Sequence, residues 1–315
     1  MSSVINTNNA SLVAQRNLSN SQVNLTTSVQ RLSSGLRINS AKDDAAGLGI
    51  SQKLQAQITG ANVSVRNAND AISMVSTAEG GLQEVSSMLQ RMRELATQGN
   101  NDSLSTAQMG YIGTEVNSLR DEINKVASRT TFNGKTLLDG SQSTAGNVMF
   151  QTGTASSDTV DISSLLVNTQ ITTGAGTNTD SSVAYKSDGT ASTLGALMVA
   201  LGTAIDTASG TSVTTAATAP SSANYGDLTT AVDNAIGAVA TVRSNLGATS
   251  NRLDHNIANL QSQSENLTAS KSRITDTDYA AETAQLSRNQ VMQQAATAML
   301  SQANQMPNAV LSLLK

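Results

Sequence analysis

The sequence predicts a mainly α fold, a long antiparallel helical rod with coiled-coil-like paired terminal helices, a β-hairpin region and a small variable β or irregular outer insert. Three observations carry this. Met292, Ala296, Met299, Ala303, Met306, Val310 and Leu313 recur at spacings of four and three up to the end of the chain, a heptad seam that needs a second helix to cover it. A helical pattern of about 55 residues, roughly 80 Å at 1.5 Å per residue, runs from residue 41 to 97, longer than a compact domain needs. Aromatic residues make up only 2% of the chain, and Trp and Cys are absent, so large buried areas must come from aliphatic seams.

The first 40 residues read as a helical segment broken near Ser33-Ser34-Gly35, with Leu25, Val29, Leu32 and Leu36 on one face and Leu18 seven residues before Leu25. This stripe can cover the C-terminal seam, or both can be covered by neighbouring copies. A terminus carrying such a seam is built to dock, because uncovered ends fray. Ser40, with Asp43 and Asp44 in the turn behind it, is the expected N-cap of the long helix. Its apolar positions run through Leu54, Ile58, Val65, Ala68, Ile72, Val75, Leu82, Val85, Leu89 and Met92 to a turn at Gly99-Asn100-Asn101-Asp102. Ile112, Val116, Leu119, Ile123 and Val126 then predict a shorter antiparallel helix.

Asn133-Gly134 between short runs marks a type I′ hairpin. Val148, Phe150, Val160 and Ile162 alternate with polar neighbours and predict further strands. From about 168 to 226 the chain is rich in Thr, Ser, Ala and Gly, with one apolar cluster at Leu194, Leu197, Met198, Leu201 and Ile205. That stretch fits a small outer module or an ordered loop. Helical pattern returns from Leu228 to Ile274, dips at Thr275-Asp276-Thr277-Asp278, and enters the terminal seam, with Asp276 or Asp278 as its cap. The near-palindromic order leaves and returns along one rod. The resulting domains are 1–40 with 277–315, 41–167 with 226–276, and the insert 168–225.

A net charge of −4 and a pI near 5.0 argue against a nucleic-acid partner, since phosphate neutralisation needs a concentrated basic surface. No apolar run approaches the roughly 20 residues that span a bilayer. The N-terminus has neither a basic nor an apolar signal region, so pattern alone places the chain in the cytoplasm. No Cys is present and His255 is the single histidine, which removes thiol nucleophiles, HExxH sites and a Ser-His-Asp triad. His255 reads as a helix-surface residue, Gly80-Gly81 as part of a helix, and the Asn-x-Ser/Thr triplets at Asn17, Asn24, Asn62, Asn101 and Asn266 as composition. The seam methionines are packing residues. Neither catalysis, cofactor nor metal is expected.

The run Ser33-Ser34-Gly35-Leu36-Arg37-Ile38-Asn39-Ser40-Ala41-Lys42-Asp43-Asp44-Ala45-Ala46-Gly47 closely resembles the signature of bacterial flagellins. So do Leu89-Gln90-Arg91-Met92-Arg93-Glu94-Leu95-Ala96, Phe132-Asn133-Gly134 and the tail Ala303-Asn304-Gln305-Met306-Pro307 with Leu311-Ser312-Leu313-Leu314. The resemblance covers about residues 1–167 and 226–315. It implies a subunit that self-assembles into the extracellular flagellar filament for swimming motility, which replaces the cytoplasmic expectation. It also implies unfolded export through the flagellar type III pathway without a cleaved signal. Implied partners are other copies of the chain, a flagellar export chaperone, and the filament cap and hook-junction proteins. A hook-filament junction protein of the same superfamily is the alternative. The zinc peptidase that some flagellins carry in the insert cannot use its usual motif with one histidine. The family's motif for host Toll-like receptor 5 falls on Arg91, Leu95 and Glu115, and Arg91 and Leu95 lie one helical turn apart.

Overall fold

The computed structural model describes residues 8–140, 148–162, 169–171, 201–208 and 221–312, with 306–312 as backbone alone. The expected elements 194–198, and Leu313 at the end of the seam, lie outside the described residues. The chain divides into a terminal unit, Met1–Thr59 with Gln263–Lys315, and a central unit, Gly60–Ser262.

In the terminal unit, α1 (Asn9–Ser34) starts at Asn8, whose side chain accepts from the Ser11 N–H. It ends at Gly35, which adopts φ 70° and returns its N–H to the Arg31 carbonyl. That left-handed cap is cheap only for glycine. The next residues pair with the break after α4 (Ser222–Thr275). The Arg37 N–H donates to the Thr275 carbonyl at 2.6 Å and the Thr277 N–H to that of Gly35 at 2.9 Å. Asp278 then accepts from the Ala280 and Ala281 N–H groups and so caps α5 (Tyr279–Ser312), whereas Asp276 bonds Ser272 and Thr275 instead.

The long helix α2 (Ala45–Gly99) begins later than expected. Asp43, not a helix, gathers Ser40: its carboxylate accepts from the backbone of Asn39 and Ser40 and from the Ser40 hydroxyl. These bonds hold its pKa below the ordinary aspartate value. Asp44 accepts from the Gly47 N–H at 2.8 Å and takes the capping role assigned to Ser40. The physical reason is the Ser40–Asp43 turn, which uses the serine hydroxyl as a donor and leaves it no free geometry toward α2.

In the central unit, α2, α3 (Thr106–Arg129) and α4 supply one aliphatic core. Val85, Leu89, Met92 and Ala96 meet Met109, Ile112, Val116 and Ile123, with Leu228, Val232, Val239 and Leu246 from α4. The α3 start carries a capping box, Ser105 with Gln108. Asn133-Gly134 forms the turn between β1 (Thr131–Phe132) and β2 (Lys135–Thr136), with φ 49° and 78°, as the type I′ expectation requires. Thr159–Asp161 (β4) pairs antiparallel with Met149–Gln151 (β3). Asn67 on α2 and Asn256 on α4 donate to the successive carbonyls of Gln151 and Thr152, so the two long helices hold the end of β3 and the residue that follows it.

The interval 168–225, expected as an outer insert, contributes to this core at its described parts. Ile171, Leu201, Ile205 and Ala208 are fully buried in it, the last three on a helical stretch over 201–208. Tyr225 is buried too and donates its hydroxyl to the Met109 carbonyl at 2.6 Å.

Candidate self-assembly surface

The fully buried positions of the α1–α5 pair are mostly polar. The buried residues of α1 are Ser11, Ser21 and Ser28; among the described side chains of α5 they are Asn289 and Ala303. Ser11 Oγ donates to Asn304 Oδ1 at 2.7 Å, and Asn8 Nδ2 to the Ala303 carbonyl at 2.7 Å. Asn289 Nδ2 donates to Ser28 Oγ at 3.2 Å, while Ser21 Oγ reaches the Asn289 carbonyl at 3.4 Å. Arg31 faces Glu282. Low residue numbers meet high ones throughout, so the pair is antiparallel.

Several large apolar side chains lie on the outside, while Leu18, Leu286 and Leu300 are half-buried beside the polar contacts. Met292 is 58% exposed, Met299 62% and Val29 50%. Leu25, Leu32 and Leu36 are half-buried, and Ala303 is buried. Met306 and Val310 fall on α5 backbone whose side chains are outside the described set. Sequence reasoning missed Leu12, Val13, Val23 and Val291, all exposed. It followed one apolar stripe per helix; the signal that would have found them is the serine heptad Ser21–Ser28, which marks the inner face as polar. A helix pair whose fully buried side chains are serines, an asparagine and an alanine, and whose Val23, Val29, Met292 and Met299 stand in water, gains less from folding alone than a fully apolar seam would. It gains when another surface removes those side chains from water, about 1.5–3 kcal/mol for each one fully covered.

The second group of anticipated residues lies in the central unit. Arg91 on α2 makes an ion pair with Glu115 on α3 at 2.9 Å and another with Glu94 at 2.8 Å. All three are exposed, and the two carboxylates raise the arginine pKa, Glu94 first. Leu95 is different: it is 3% exposed and belongs to the core. One helical turn from Arg91 is here enough to carry the side chain from solvent to interior, so Arg91 and Leu95 do not present a common outer face. Arg93, unanticipated, pairs with Asp233 on α4.

No helix of the described residues is long and apolar enough to cross a membrane. Residues 5–143 match the bacterial flagellin N-terminal helical region and 229–314 the C-terminal helical region. The polar flagellin F of Vibrio parahaemolyticus is 36% identical over 385 aligned positions, covering 100% of both chains. Flagellin B of Vibrio anguillarum is 37% identical over 374 positions, covering 98% of this chain and 99% of its own. These alignments are longer than the chain, so the relatives carry residues it lacks. A solved Vibrio parahaemolyticus protein described as flagellar hook-associated covers 74% of this chain and 100% of its own with TM-score 0.51. At 18% identity it shares the fold alone, and the hook-associated alternative is no better supported than the filament subunit. Both terminal regions and full-length relatives of one name agree: this chain belongs to the bacterial flagellin family, the structural subunits of the extracellular flagellar filament.

Proposed function

We propose that the chain polymerises through the outer faces of α1 and α5, with Leu25, Val29, Leu32, Leu36, Met292, Met299, Met306, Val310 and Leu313 at contacts between copies. The observation that carries this is the exposed apolar stripe on the pair: Val29, Met292 and Met299 stand at least half exposed, while the fully buried residues of the two helices are Ser11, Ser21, Ser28, Asn289 and Ala303. In this reading residues 1–40 and 277–315 form the filament core, 41–167 and 226–276 the surrounding rod, and 168–225 the outward part. Export runs through the flagellar type III route with a chaperone, and growth occurs between hook-junction and cap proteins. Host Toll-like receptor 5 is a further partner, engaged by the exposed Arg91 and Glu115, with Leu95 supporting them from the core.

Met299→Asp tests the assembly surface. Because Met299 is largely exposed in the single chain, the monomer should keep its helix content and thermal midpoint. In the polymer an unpaired charge buried without a partner costs several kcal/mol, so filaments should vanish from sedimentation and electron micrographs. Normal filaments from Met299→Asp would remove α5 from the contact.

A further inference from the structure

We infer that Met292 and Met299 form an oxidation-sensitive modification site, at which a hydroperoxide converts the free chain to a form that does not polymerise. The chain contains neither Cys nor Trp, so methionine thioethers are the side chains that a mild hydroperoxide attacks first. The structure sorts those thioethers into two groups. Met74, Met92 and Met109 are buried in the central core and Met88 is packed against it. Met292 and Met299 stand more than half exposed on α5. Among the described side chains Met149, on β3, is the one other exposed methionine, and it lies in the other unit of the chain.

The two α5 methionines are one heptad apart, which puts both sulfurs on the same side of the helix. In the reaction a sulfur lone pair attacks one oxygen of the hydroperoxide. The O–O bond breaks, the sulfur keeps that oxygen and is oxidised by two electrons, and the peroxide is reduced to water or an alcohol that carries off the proton. A flexible apolar side chain thereby becomes a polar, chiral sulfoxide. In the free chain the new oxygen is solvated and the fold is untouched. The large side chains exposed with these methionines, Val291 on α5 and Leu12, Val13, Val23 and Val29 on α1, carry no donor to pair with it. Where another copy covers α5, a sulfoxide oxygen buried without a partner opposes the contact. The accessibility of the sulfurs is a property of the single chain; the block to polymerisation rests on the assembly reading proposed above.

The test treats the free chain with hydrogen peroxide, removes the excess with catalase, and follows each methionine by peptide mass spectrometry. Met292 and Met299 should be oxidised well before Met74, Met92 and Met109. Helix content should be unchanged, and the critical concentration for polymerisation should rise about tenfold or more. Met292→Leu with Met299→Leu keeps the apolar volume without the sulfur, and should polymerise equally well before and after treatment. Met149→Leu should remain as sensitive as wild type. Methionine sulfoxide reductases acting on the oxidised wild-type chain should restore polymerisation, which gives an answer free of any substitution. Oxidation of Met292 and Met299 no faster than that of the buried three would overturn the site. So would unaltered polymerisation of the oxidised chain, equal sensitivity of the double Leu variant, or no recovery once both sulfoxides are reduced. If Met299→Asp abolishes filaments while the oxidised chain still forms them, this inference falls and the assembly reading stands; if Met299→Asp forms normal filaments, both fall.

Discussion

Arg120 on α3 places its guanidinium 3.1 Å from the carboxylate of Asp206 on the 201–208 helical stretch, with both side chains largely buried. This pair joins the described part of the 168–225 interval to the central unit, beside the fully buried Ile205. Burial raises the Asp206 pKa above its ordinary value despite the opposing pull of Arg120.

Because the pair is desolvated, its two members are not equivalent. Arg120→Ala leaves a buried carboxylate with its main cation gone and should destabilise the central unit by about 3 kcal/mol. Asp206→Asn removes the charge that burial penalises and should cost much less. The sign with pH follows from the raised folded-state pKa. The contribution of Asp206 is fully present below the unfolded aspartate pKa and is lost as pH rises through the higher folded value. Wild type should therefore lose stability relative to Asp206→Asn as pH rises from the ordinary aspartate pKa through the raised folded one. Thermal unfolding of the three chains across that window checks both statements. Equal losses for Arg120→Ala and Asp206→Asn would contradict the first.

The tolerance of the variable interval to deletion should be uneven. Removing 172–200 with a flexible linker keeps Ile171, Leu201, Ile205 and Ala208, all buried in the central core, and should leave the unit folded. Removing 170–222 takes those residues as well. Ile205→Ala alone should cost about 2–5 kcal/mol by emptying a packed site. Chemical unfolding followed by circular dichroism separates the cases, and equal stability of the two deletions would show that the 201–208 stretch is dispensable.

At Gly35 the constraint is backbone conformation together with crowding. An added Cβ would meet the Tyr279 hydroxyl at 3.0 Å, and φ is 70°. Gly35→Ala should weaken the crossing of α1 with the start of α5 by about 1–2 kcal/mol, the penalty of a left-handed residue with a Cβ. Adding Tyr279→Phe removes the crowded oxygen but not the dihedral penalty, so recovery should be partial. Protease sensitivity at residues 34–37 measures it, and full recovery would assign the cost to crowding alone.

For the receptor proposal, Arg91→Ala with Glu115→Ala should leave folding nearly untouched, since both side chains are about half exposed and exposed ion pairs contribute little. A receptor reporter assay on monomer should lose potency by about tenfold or more, as truncated charges at a desolvated interface do. Unchanged potency would remove these two residues from the partner surface. Leu95→Ala should instead lower stability first, by about 2–5 kcal/mol, because that side chain is in the core.

The sequence by itself determined what is local. The Asn133-Gly134 turn needs two residues that accept positive φ, the break at 275–278 follows from residues that cap better than they propagate a helix, and the long helices follow from apolar residues returning every three or four positions. Each depends on neighbours within a turn or two. Periodicity grouped Met292, Ala296, Met299 and Ala303 on one stripe, but Ala303 is buried while Met292 and Met299 are exposed, so the stripe straddles the edge of the pair. It could not say what that face meets. Only the tertiary structure decided that α1 and α5 turn serines and Asn289 toward each other and leave the methionines outside, because that choice depends on groups more than 260 residues apart. The same holds for Leu95, whose spacing from Arg91 fits either a shared surface or a core position until α3 and α4 pack. It holds for Ile205, apolar by sequence but placed in the core by its contacts, whereas the replacement of Ser40 by Asp44 as the cap is local, made by bonds within four residues.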